Sequence, residues 1–129
     1  MKTVEVNDEI SSASILKDAE KVISRVFFKW NSSDNAYRLQ LVDEYFQVIL
    51  NVANLGHKID LIEQIILRAL VSFHRIKMCR NENVELRQKC CKYVHQTSVI
   101  LKGYYIKNEL GYRVPYLSKY LTNSLELLR

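Results

Sequence analysis

Apolar residues recur every three or four positions along most of this chain, which is the period of an α-helix with one buried face. The first such run is Ile15, Leu16, Ala19, Val22, Ile23, Val26, Phe27 and Trp30, and Ser12 or Ser14 is placed to cap it. It stops at Asn31-Ser32-Ser33-Asp34-Asn35, where short polar side chains compete for backbone groups and favour a turn. A second run carries Leu41, Val42, Tyr45, Phe46, Ile49, Leu50 and Ala53, ending at Gly56, a residue suited to the left-handed position that closes a helix. Asp60 with Glu63 predicts a capping box for a third helix, with Ile62, Ile65, Ile66, Ala69, Leu70, Phe73 and Ile76 inward, ending near residues 80–83. The fourth helix is expected over about 84–108, with Leu86, Cys90, Val94, Thr97, Leu101 and Tyr104 inward and Gly111 past its end. Gly103 falls inside it at a cost of about 1 kcal/mol relative to Ala, which predicts close packing or a bend. Pro115 suits the first turn of a fifth helix burying Leu117, Tyr120, Leu121, Leu125 and Leu128. Residues 1–11 have no such period and read as a mobile arm, or a short strand at 3–6.

Connections of about five residues force sequential helices to pack antiparallel. The expectation is an all-α, up-and-down antiparallel helical bundle of four core helices plus an N-terminal extra helix, with residues 12–129 forming a single domain. A chain of 129 residues can bury one real core, and three Gly with one Pro argue against a turn-rich β fold. No apolar stretch approaches the roughly 20 residues a membrane span requires, and Lys2, Glu5, Asp8 and Glu9 open the chain without a secretory apolar region. A cytoplasmic protein with no membrane partner is expected. Cys79, Cys90 and Cys91 are an odd set, read as reduced thiols packed as small hydrophobes.

Charge changes the picture most. Residues 1–64 hold seven Lys/Arg against ten Asp/Glu (net −3), whereas residues 65–129 hold twelve against four (net +8). The basic run comprises Arg68, Arg75, Lys77, Arg80, Arg87, Lys89, Lys92 and Lys102, opposed by Glu82 and Glu85. Such a field attracts polyanions and points to a partner before it points to a reaction. At 100° per residue, Lys89, Lys92 and Lys107 fall within about 60° of one another, and Arg68 shares a stripe with Arg75. Two stripes turned the same way would form one patch contacting phosphates without reading sequence. An acidic protein partner is the competing ligand.

Other chemistry is thinner. His74, Cys79, Cys91 and His95 invite a metal reading, since Cys91 and His95 are one turn apart and a hairpin centred near residue 82 sets His74 opposite Cys91. The paired spacings of zinc sites are missing, so no metal or other cofactor is expected. Cys91 with His95, or Cys79 with His74, lacks any signature of an orienting group or oxyanion site, and Asp43 and Glu44 diverge on a helix. No enzyme is expected. Tyr104, Tyr105, Tyr112, Tyr116 and Tyr120 alternate with Lys107, Arg113 and Lys119. Base stacking is one use of that mix; a homo-oligomer interface is the preferred one.

The order and spacing of residue classes from 41 to 128 carry a family resemblance. A helix breaks at Gly56-His57-Lys58, and Ile62-Glu63-Gln64-Ile65-Ile66-Leu67-Arg68-Ala69 opens the next. Then come Leu86-Arg87-Gln88-Lys89, an apolar Val99-Ile100-Leu101 centre, and the closing stretch from Tyr116-Leu117-Ser118-Lys119-Tyr120 to Leu127-Leu128. This pattern resembles the accessory variability determinant (Avd) proteins of diversity-generating retroelements, and more loosely the four-helix-bundle proteins of ribosomal RNA intervening sequences. The resemblance implies a basic bundle that forms a ring-like homo-oligomer, binds RNA or DNA, partners a reverse transcriptase, and has no catalytic residues. Two departures stand: the aromatic-Pro-basic segment frequent before the family's second helix is missing at 56–60, and residues 1–35 add a helix. The alternative is a protein-interaction module, such as a phage or defence adaptor or an antitoxin-like regulator, meeting an acidic protein partner.

Overall fold

The computed structural model describes residues 2–55, 60–116 and 119, with side chains placed from residue 13 onward. Four α-helices account for nearly all of it: α1 (Lys2–Lys29), α2 (Asn35–Ala53), α3 (Asp60–Met78) and α4 (Val84–Lys107). Short 3-10 turns follow α1 (Trp30–Ser32) and α4 (Gly111–Arg113), and no strand occurs among the described residues. The strand expected at 3–6 is replaced by the first turns of α1. The inward positions expected on a fifth helix (Leu117, Tyr120, Leu121, Leu125 and Leu128) and Gly56 lie outside the described residues.

Caps explain the internal boundaries. Asp34 precedes α2 and its Oδ1 accepts from the Tyr37 N–H at 2.8 Å. Asn83 does the same for α4, accepting from the Glu85 N–H at 2.9 Å. At the start of α3, Glu63 forms an ion pair with Arg113. After α4, Glu109 takes the left-handed conformation (φ 61°), and the Leu110 N–H donates to the Tyr105 carbonyl at 2.6 Å.

The core lies among α2, α3 and α4. Ile49, Val52, Ile65, Ile66, Ala69, Leu70, Phe73, Leu86, Cys90 and Leu101 are wholly excluded from solvent. Every inward position expected on α2, α3 and α4 is buried or half-buried, and Val52 and Tyr105 join them. An aromatic chain ties the helices together: Tyr45 meets Phe73 at 5.3 Å between ring centroids, Phe73 meets Tyr93 at 5.5 Å, and Tyr93 stacks on Phe46 at 4.2 Å. Contacts along α2 and α4 rise together, Arg38 with Glu82, Asp43 with Lys89 and Phe46 with Tyr93, so these two helices run in the same sense. Helix α1 packs chiefly on α2 through Leu16, Ala19, Ile23 and Val26. Gly103 corrects an expectation: it faces solvent, and a Cβ there would meet nothing within 4 Å.

Candidate nucleic-acid interface

The eight cations expected to contact phosphate separate into different environments. Arg68 and Arg75 are exposed on α3, two turns apart, where they border a cleft that also involves α1 and α2. Arg80, Lys92 and Lys102 are exposed, while Lys77 and Arg87 are half-buried. Arg87 is held by its Nε, which donates to the Lys77 carbonyl at 3.0 Å. Lys89 has a partner within the fold. Its Nζ donates to Asp43 Oδ2 at 2.7 Å, so it closes the α2–α4 boundary. No α4 residue borders the cleft that Arg68 and Arg75 line.

Of the eight, Lys89 alone has an ion pair among the described residues. Two first-half carboxylates pair with other cations: Glu44 with Arg25, and Glu63 with Arg113. Asp43 and Glu44 thus point to different neighbours, as adjacent helical positions must. Burial raises the Asp43 pKa, but hydrogen bonds from Lys89 and Tyr93 and the charges of Lys89 and Lys92 outweigh it, leaving the group below its usual value. The Tyr93 hydroxyl donates to Asp43 Oδ1 at 2.5 Å. Burial, then this bond, raises the Tyr93 pKa.

The cleft itself has a volume of about 630 Å³. One wall carries Phe27 of α1 with Trp30 and Asn31 of the turn that follows it, the floor Val42 and Tyr45, and the α3 wall runs from Gln64 to Ile76. Tyr45 is buried and its hydroxyl has no hydrogen-bond partner. Ser72 lies near enough to favour the phenolate, but its hydroxyl is committed to the Arg68 carbonyl at 2.8 Å. Burial dominates and pushes the Tyr45 pKa up to about 12.

The tyrosine interface is corrected in part. Tyr104 and Tyr105 are buried in this chain's own fold and are not available to a second copy. Tyr112 and Tyr116 are exposed, with the Arg113 guanidinium 5.7 Å from the Tyr112 ring centre. Cys90 is buried, and burial first, then the carboxylates of Glu82 and Asp43, push its pKa to about 12, which makes it a poor nucleophile. His74 is buried with neither ring nitrogen hydrogen-bonded, and burial, reinforced by Lys77, lowers its pKa. Among the described residues no three His, Cys, Asp or Glu side chains gather as metal ligands, and no helix is long and apolar enough to cross a membrane.

These buried acids set an alkaline limit. Tyr45 and Cys90 have ordinary values of 10.0 and 9.0 and reach about 12 when folded. Above about pH 9 the unfolded chain therefore releases protons the folded chain keeps, and stability falls as pH rises. The urea midpoint should be lower at pH 10.5 than at pH 8, and Tyr45→Phe should flatten that decline. Equal midpoints at the two pH values would contradict this assignment.

No protein-family model matches this chain, and no curated protein and no solved structure matches it significantly.

Proposed function

We propose that this chain is a non-catalytic accessory protein that binds nucleic acid through its second-half cations. One observation carries the reading: Arg68, Arg75, Lys77, Arg80, Arg87, Lys92 and Lys102 have no carboxylate partner among the described residues, while Asp43, Glu44, Glu63 and Glu82 are paired with other cations. Unpaired cations on a rigid body bind phosphate by releasing its counterions, a sequence-independent affinity that falls steeply with salt. An up-and-down bundle in the cytoplasm is the architecture and setting this reading adopts. Homo-oligomerisation is part of it. Val99 and Ile106, two turns apart on the solvent face of α4, and Tyr112 and Tyr116 beyond it supply exposed apolar and aromatic surface of the kind subunit contacts use. A reverse transcriptase is the most specific partner, and its support is the family resemblance.

The test is charge removal at constant fold. Arg68→Gln with Arg75→Gln should weaken binding to a generic oligonucleotide about tenfold at low salt and reduce the magnitude of the slope of log affinity against log salt by about 1.8, two contacts at 0.9 each on a duplex. Lys89→Gln should leave that slope unchanged because its charge is engaged with Asp43. Equal slopes for wild type and the double variant would remove Arg68 and Arg75 from the interface.

A further inference from the structure

The cleft between α1 and α3 has a composition that a purely electrostatic surface does not need. Phe27 forms part of its wall with 53% of its surface exposed, although its ring also meets Tyr45 edge-on at 6.2 Å. Trp30 stands beside it, fixed by the Arg38 guanidinium at 5.1 Å from its ring centre. The side-chain amides of Asn31 and Gln64 bring paired donors and acceptors to the lining, and Arg68 and Arg75 bring two cations about 10 Å apart along α3. No Asp or Glu lines the cleft among the described residues.

From this we infer that the α1–α3 cleft receives an unpaired base of single-stranded nucleic acid, with Phe27 and Trp30 as the stacking wall and Arg68 and Arg75 holding the flanking phosphates. The inference rests on the nucleic-acid reading above and narrows it to a strand class. A cleft of about 630 Å³ has room for a nucleotide. A hydrocarbon tail would be served by the apolar wall, yet it gives the amides of Asn31 and Gln64 nothing to pair with; a base edge supplies donors and acceptors at that position. Duplex DNA keeps its bases stacked internally, so it can reach the arginines and not the rings. Helix α1 therefore gains a role that the charge pattern alone does not give it.

The experiment compares the whole protein with three probes of equal length: a single strand, its duplex, and a fully abasic strand. Trp30 is the only tryptophan of the chain, so its fluorescence reads the cleft directly. The single strand should quench Trp30 and the abasic strand should not. Phe27→Ala should weaken single-strand binding about 5- to 150-fold, the range one stacked base is worth, and leave duplex and abasic binding unchanged. Phe27→Tyr should restore it. Phe27 is half exposed, so the variant keeps its fold, which helical circular dichroism verifies. Equal affinity for all three probes with no effect of Phe27→Ala overturns the cleft assignment while leaving the cationic interface standing. Failure of every probe to bind at low salt overturns the nucleic-acid reading itself.

Discussion

Phe73→Ala is expected to cost about 3–5 kcal/mol of folding stability, the range for emptying a fully buried aromatic site. Phe73 is wholly excluded from solvent and its ring contacts Tyr45, Phe46 and Tyr93, so the cavity would open where α2, α3 and α4 meet. Domains of this size are stable by about 5–15 kcal/mol, so the loss would consume a large part of the total. The melting temperature should fall by roughly 10–20 °C. Phe28→Ala is the internal control: Phe28 is 88% exposed, and its loss should move the melting temperature little. Equal effects from the two substitutions would mean that the aromatic chain does not hold the helices together.

The second large effect is expected at Glu82. Both its oxygens accept from Arg38 Nη1, at 3.0 and 3.2 Å, and the two side chains are only 12% and 20% exposed. Arg38 also donates from Nε to the Trp30 carbonyl at 3.0 Å and lies over the Trp30 ring. One guanidinium thus joins the turn after α1, the start of α2 and the α3–α4 connection. Glu82→Ala leaves that cation half-buried without its counter-charge, which should cost about 2–3 kcal/mol. Arg38→Ala should cost a similar amount, and the double variant should cost clearly less than the two together, by about 1 kcal/mol or more. Additive losses in urea titrations would show that the pair is not coupled.

The inward faces of α2, α3 and α4 were legible because each buries a stripe at helical spacing, and the stripe is a property of the local sequence. Trp30 and Phe27 were legible only as an apolar face needing cover. Whether it meets core or solvent depends on where α1 sits over α2, and in the event Ile23 and Val26 are buried while Phe27 is half exposed. Lys89 shows the same limit in charge. Its stripe with Lys92 follows from the helical period, but its capture by Asp43 requires the register of α4 on α2, two helices away in sequence. Arg38 and Glu82 are 44 residues apart, and no local signal couples them. The tyrosine run failed for a related reason: Tyr104 and Tyr105 are consecutive on α4, and both reach the interior because the residues that follow the helix turn back over it at Leu110. Composition records a cluster, whereas its division between core and surface belongs to tertiary packing. Asn31, Gln64 and Ser72 carried no signal of a cleft, since polar residues at a helix end or on a helix face are ordinary until a cleft forms beside them.

Phosphate-polymer binding is proposed for the second half of this chain, through cations that have no carboxylate partner among the described residues. Its most direct measurement is the affinity of the purified wild-type protein for one generic duplex across a series of salt concentrations. Tight binding is expected at low salt, with a straight fall of log affinity against log salt and a slope between about −2 and −5 for two to six phosphate contacts. Absence of binding at low salt, or an affinity indifferent to salt, would contradict it.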